Sequence, residues 1–257
     1  AQTTLIPDAN FEQALIDLGY DNVIDGEVLT ANIDTIASLV VQNQNISDLT
    51  GIEGFTALTY LDCWENQLTS LDVTQNTALT YLDCWENQLT SLDVTQNTAL
   101  TILYCGYNYL TSLDVTQNTA LTELGCEAND LTSLDVTQNT ALTDLVVGGN
   151  QFTSLDLSQN SALTLLYCDN SSLLNCLNLK NGNNYSITSF AAFYSPALTC
   201  IEVDDVAYST ANWTAVGGQI DAGATFSNNC NNSCSSPTCA DGIQNGDETG
   251  VDCGGTI

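Results

Sequence analysis

Residues 58–78 read LTYLDCWENQLTSLDVTQNTA, and residues 79–99 repeat that string letter for letter. Three further copies of equal length follow at 100–120, 121–141 and 142–162. A degenerate copy starts at Leu163, and a longer one precedes the array at 36–57. Numbered from its first Leu, the unit is apolar at positions 1, 4, 6, 11, 14 and 16. One unit cannot bury these residues alone, so successive units must stack and bury them against each other.

Each unit opens on the run L-x-x-L-x-C, which reads as a short strand with alternate residues facing inward. Position 9 is Asn66, Asn87, Asn108, Asn129 and Asn150. Asn suits a turn, where its amide can satisfy backbone groups of its own and neighbouring units. The second half, LTSLDVTQN, follows the same grammar, with Asn76, Asn97, Asn118, Asn139 and Asn160 at its turn.

The pattern resembles the leucine-rich repeat family, whose hallmark is L-x-x-L-x-L/C-x-x-N-x-L. It is most similar to the irregular bacterial class in which one unit nests two LxxL halves. The resemblance covers roughly residues 36–203. It implies a fold of the α/β class: a right-handed solenoid with a parallel sheet along one face, a short helical N-terminal cap, and otherwise mostly β-structure and turns.

Four segments are expected: an N-terminal cap at 1–35, repeats at 36–186, a C-terminal cap at 187–230 and a polar tail at 231–257. In the first, PDANFEQALIDLGY (7–20) places Phe11, Leu15, Ile16 and Leu18 at helical spacing after a capping Asp8. In the third, ITSFAAFYSPALTCIEVDD still echoes the repeat before YSTANW and GATFSNNC close the stack. The start, Ala1-Gln2-Thr3-Thr4, reads as a mature end left by a removed signal peptide. Both caps and the tail's DGIQNGDETGVDCGG resemble secreted flavobacterial (Bacteroidota) repeat proteins exported by type IX secretion. That resemblance implies an extracellular or cell-surface location on a bacterium.

Charge removes whole classes of function. The chain of 257 residues has 31 acidic side chains, one basic side chain (Lys180) and no His, a net charge of −30. Without His there is no Ser-His-Asp or Cys-His catalysis. Without a basic cluster nothing neutralises phosphates, so nucleic acid is not a partner. No apolar run approaches the roughly 18 residues of a membrane span. An exposed array of carboxylates offers no cleft to shift a pKa, so the chain reads as a binding protein rather than an enzyme.

The cysteines sort into two groups. Cys63, Cys84, Cys105, Cys126 and Cys168 sit at inward position 6, which is Val41 and Val147 in two other units. A position that accepts Val wants volume, so the column reads as small buried hydrophobes rather than a metal or disulfide ladder. The other six, Cys176, Cys200, Cys230, Cys234, Cys239 and Cys253, run from the last degenerate copy through the cap and tail, an even number that suits disulfides in an oxidising compartment. Cys200–Cys230 and Cys239–Cys253 are the expected pairs.

Positions 3, 5 and 7 point outward from the sheet. They assemble a candidate partner-binding stripe of Tyr60, Asp62, Trp64, Tyr81, Asp83, Trp85, Ile102 and Tyr104, with Tyr107 beside it at position 8. Later rungs show Glu123, Glu127, Asp144, Leu165 and Tyr167. Rigid aromatic area edged with carboxylates suits adhesion to a protein or glycan surface. The alternative is a structural protein whose copies assemble into a surface layer or filament, bridged by Ca²⁺. No cofactor is required, and Ca²⁺ is the one ion the acidic columns suggest. Asp72, Asp93, Asp114, Asp135 and Asp156 form such a column, although turns with neighbouring hydroxyls explain it as well. In the tail, Asp241, Asn245, Asp247, Glu248 and Asp252 gather around Gly242 and Gly246 as a candidate Ca²⁺ loop.

Overall fold

The computed structural model describes residues 2–230. The N-terminal cap begins with β1 (Thr3–Leu5), α1 (Ala9–Asp17), β2 (Glu27–Leu29) and α2 (Thr30–Ile33), with β1 and β2 paired antiparallel. Asp8 caps α1 as its sequence position requires: Oδ1 accepts from the N–H groups of Asn10 and Phe11 at 2.9 and 3.0 Å. Its Oδ2 accepts from Ser47 N, Ser47 Oγ and Asp48 N at 2.8, 2.7 and 3.1 Å. One carboxylate therefore starts the helix and fastens it to the first rung. Phe11 and Leu15 are buried as expected, but Leu18 falls at the helix C-cap and is 43% exposed. The inward place is taken by Glu12, whose Oε1 accepts from Asp25 N and Gly26 N at 2.9 and 2.8 Å.

The stack follows. β3 (Ser38–Val40), β4 (Tyr60–Asp62), β5 (Tyr81–Asp83), β6 (Ile102–Tyr104), β7 (Glu123–Gly125) and β8 (Asp144–Val146) lie side by side in parallel and in chain order. From β9 (Ser154–Asp156) onward each rung contributes two strands. β10 (Leu165–Tyr167) and β12 (Ser189–Ala191) complete an eight-stranded main sheet. β9, β11 (Cys176–Leu179), β13 (Cys200–Val203) and β14 (Thr225–Ser227) form a second, parallel sheet of four. The second half of the unit thus becomes a true strand only from Ser154 on.

Register is in phase: Tyr60 faces Tyr81, and Leu61 faces Leu82, which faces Leu103. Leu61, Leu82, Leu103, Leu124, Leu145 and Leu166 are all at 0–1% exposure, a continuous apolar column that no single unit could enclose. The position 6 residues behave as volume fillers, since Val41 and Val147 are buried alongside free Cys63, Cys84, Cys105, Cys126 and Cys168.

Both Asn columns perform the expected backbone service. Asn108 donates to the carbonyls of Cys84 and Cys105 at 3.1 and 3.2 Å and accepts from Leu89 N at 2.9 Å. In the second turn, Asn118 donates to the carbonyls of Val94 and Asn97, both at 2.9 Å. A third column escaped sequence reading. Position 8 is left-handed in every rung: Asn43, Glu65, Glu86, Tyr107, Ala128, Gly149 and Asn170 all have φ between 51 and 69°. The Gly and Asn in that column are its sequence signal, because they tolerate that conformation best.

The far end is closed by α3 (Val206–Asn212) and β14. Trp213 is 4% exposed and packs on Phe190 at 4.6 Å and Phe226 at 5.9 Å between ring centroids. The expected Cys200–Cys230 disulfide is present, with Cα atoms 5.8 Å apart. Among the described residues, no helix is long and apolar enough to cross a membrane.

Candidate functional site

The outward positions of the main sheet form three columns fixed by its register. Position 3 gives Tyr60, Tyr81, Ile102, Glu123 and Asp144, and position 5 gives Asp62, Asp83, Tyr104, Gly125 and Val146. Position 7 gives Gln42, Trp64, Trp85, Gly106, Glu127 and Gly148.

Aromatic rings meet along and across these columns. Tyr60 and Tyr81 stack nearly parallel, centroids 4.2 Å apart and planes 8° apart. Tyr81 then meets Tyr104 edge-on at 6.1 Å. In the next column Trp64 meets Trp85 at 6.1 Å, and Trp85 meets Tyr107 at 4.7 Å. Each such pair contributes about 0.5–1.5 kcal/mol beyond area burial, so the rings are held in place as well as displayed. Most of the stripe is half-buried; Tyr107 is 52% exposed and Asp62 only 8%. All nine sequence-predicted stripe residues lie on this one face. Tyr109, one turn further along the third repeat, is 57% exposed and adds aromatic area that the strand pattern does not reveal.

Polar partners fix the ring orientations. The indole N–H of Trp64 donates to Gln42 Oε1. That of Trp85 donates to Glu127 Oε1 at 2.9 Å, reaching two rungs along the stack. Between them lies Gly106, where a Cβ would come within 2.6 Å of Glu127 Cδ. The Tyr104 hydroxyl donates to Glu123 Oε2, its ring lying 3.0 Å from where a Cβ on Gly125 would stand. Two glycines thus let neighbouring rungs cross. Their signal in the sequence is the loss of Trp from C-W-E at Gly106 and of Asp from L-D-C at Gly125.

Desolvation raises the carboxyl of Asp83 to about 6, with the charges of Asp62 and Glu127 adding to it against the opposing Trp85 N–H and Tyr81 hydroxyl. Burial raises Asp62 as well. The face is therefore an aromatic surface whose inner carboxylates are already reluctant to be charged.

The other acidic column is different. Asp72, Asp93, Asp114 and Asp135 each accept from the N–H and hydroxyl of the Thr two residues on, as Asp72 does from Thr74 at 3.0 and 2.6 Å. These hydrogen bonds hold Asp72, Asp93 and Asp114 below the usual carboxylate range. Turn chemistry accounts for the column. Among the described residues, no group of three or more His, Cys, Asp or Glu side chains is gathered to hold a metal. The candidate Ca²⁺ loop (Asp241, Asn245, Asp247, Glu248, Asp252) and the pair Cys239–Cys253 lie outside the described residues.

No protein-family profile matches the chain. Internalin J of Listeria monocytogenes serotype 4b (strain F2365) is 40% identical over 73 residues, which is 27% of this chain and 8% of that protein. The solved functional domain of InlJ from Listeria monocytogenes, described as including a cysteine ladder, superposes with a TM-score of 0.56 at 34% identity. That match covers 80% of this chain and 58% of the InlJ chain. Internalin C2 from the same species superposes with a TM-score of 0.65 at 20% identity, over 88% of this chain and 98% of that one, a likeness of fold. The chain therefore spans less than two thirds of either InlJ sequence. In this chain Cys63, Cys84, Cys105 and Cys126 follow β4, β5, β6 and β7 on consecutive rungs. Repeat grammar, in-phase rungs and these likenesses agree, and the fold is the leucine-rich repeat solenoid of the internalins.

Proposed function

We propose that this chain is a recognition module, secreted or displayed at a bacterial cell surface, that holds a protein or glycan partner against its aromatic-acidic sheet face. One observation carries the reading: Tyr60, Tyr81 and Tyr104 form one run of ring contacts and Trp64, Trp85 and Tyr107 a second, both on one outward face. Rings locked by stacking and by Gln42, Glu123 and Glu127 lose little freedom when a partner arrives, which is where much of the cost of association lies. The Cys200–Cys230 disulfide fits an oxidising compartment.

Glycan and protein arrays probed with the wild type and with Trp64→Ala/Trp85→Ala test this. Partners captured by the wild type and lost by a variant with unchanged circular dichroism support the reading. Partners retained by the variant overturn it. Light scattering with Ca²⁺ and then EDTA separates the assembly alternative: particles that grow with Ca²⁺ and dissolve with EDTA move the function to self-association.

A further inference from the structure

Beyond the Trp stripe, the face carries glycines, and the gap they leave is a niche of about 260 Å³. Gly148, Gly149, Tyr107 and Tyr167 line it, and Glu127 and Asp169 supply carboxylates. Sites that enclose a whole small ligand run to roughly 300–1,000 Å³, so this space suits the end of one side chain. The opening is built into the backbone. A Cβ on Gly148 would stand 2.5 Å from the carbonyl oxygen of Asp169 and 3.3 Å from its Oδ1, and Gly149 sits at φ +69°.

The charge of the niche is one-sided. The N–H groups of Tyr107, Ala128, Gly149 and Asn170 are spent on carbonyls of the next rung at 2.8–2.9 Å. The Asn170 amide donates to Asp169 Oδ2 at 2.5 Å, and the Tyr167 hydroxyl is paired with Ser189 Oγ at 2.7 Å. Both charged side chains that line the niche, Glu127 and Asp169, are carboxylates, and two tyrosine rings accompany them. An anion meets only like charge there, whereas a cation meets opposite charge. Ammonium and guanidinium groups offer donors only and are attracted to tyrosine faces. The chain's single cation, Lys180, is not among the niche residues.

We propose that this niche binds the cationic side chain, lysine or arginine, of a partner protein. It shares Tyr107 with the aromatic stripe, and its Glu127 accepts from the Trp85 indole, but it stands whether or not the stripe binds.

The test is an amide-resolved NMR titration of the full chain with the capped peptide acetyl-Gly-Lys-Gly-amide and its norleucine counterpart. Saturable shifts at Gly148 and Gly149 are expected with the lysine peptide alone. Glu127→Gln/Asp169→Asn should weaken them at least about tenfold, and Asp93→Asn/Asp114→Asn, which removes equal charge elsewhere, should change them less than about twofold. Should the first double variant misfold, Tyr167→Leu replaces it with the same expected direction. Equal weakening by both charge variants, equal binding of the norleucine peptide, or no saturable shift overturns the proposal.

Discussion

Trp85 and Glu127 are joined through an indole N–H donated at 2.9 Å across Gly106, which has no side chain to block the path. Three consecutive rungs thereby share one interaction on a surface otherwise built of neighbour contacts. Gly106→Ala would place a Cβ within 2.6 Å of Glu127 Cδ, and because that is the end of a flexible side chain, the carboxylate swings away rather than the backbone. The expected outcome is a shifted Trp85 indole N–H resonance and a stability loss of about 1 kcal/mol, below the usual figure for a charged hydrogen bond because the pair is half-exposed. An unmoved indole signal would show that the crossing does not exist in solution.

Stability should rise as the solution is acidified from neutral pH. Asp83 holds its proton to about pH 6 in the fold, against roughly 3.9 when unfolded. Between those values the native state binds more protons, so stability falls as pH increases. A full shift of that size corresponds to roughly 3 kcal/mol, reduced toward about 1 by partial exposure. Below the ordinary carboxylate range the trend reverses, because Asp8, Asp72 and Asp114 are held low by their donors and lose that stabilisation when protonated. Urea melts at successive pH values should therefore show a maximum between about pH 4 and 6. Asp83→Asn should flatten the neutral limb; a variant that keeps the wild-type slope would assign the effect to general charge repulsion.

The repeat thiols should be inert until the solenoid opens. Cys63, Cys84, Cys105, Cys126 and Cys168 are fully buried, and desolvation pushes each thiol well above its ordinary range. Peptide mapping after brief alkylation should find them unmodified in native protein and modified in denaturant. Cys84→Val should cost less than about 1.5 kcal/mol, as a volume-conserving swap. Cys84→Ser, which buries a hydroxyl in an apolar column, should cost about 1–3 kcal/mol.

Position 8 allows a test of opposite signs on neighbouring rungs. Ala128 sits at φ +51°, so Ala128→Gly relieves a left-handed residue and should stabilise by up to about 1 kcal/mol. Gly149→Ala adds a Cβ 3.4 Å from Ala128 Cα at φ +69° and should destabilise by about 1–2 kcal/mol. Thermal melts that move the same way for both would remove strain as the explanation.

How far the letters reach is clear from particular residues. Repetition alone places Trp64 beside Trp85, buries Cys84 and hands both Asn columns to the backbone, because a strict period converts sequence spacing into spatial rows. The Asp8 cap is legible from local chemistry. The pairing of Thr3–Leu5 with Glu27–Leu29 is not, since three residues carry too little pattern. Nor is the Trp85–Glu127 crossing or the niche at Gly148, because both depend on side chains missing from one rung and leaning in from another.

The rungs exchange backbone hydrogen bonds in a fixed cadence: Thr80 N bonds to Thr59 O, Thr101 N to Thr80 O, and Thr122 N to Thr101 O, each at 2.8 Å. Excising residues 79–99 would bring Ala78 against Leu100, the same junction that Ala99 makes with it now. Every interior partner would be replaced by its equivalent. The gene can therefore lengthen or shorten this molecule by whole coils without refolding anything, and each such event rewrites the order of side chains on the outer wall. Inheritance by duplication, which leaves the interior unchanged, is here a direct means of altering what the wall can grip.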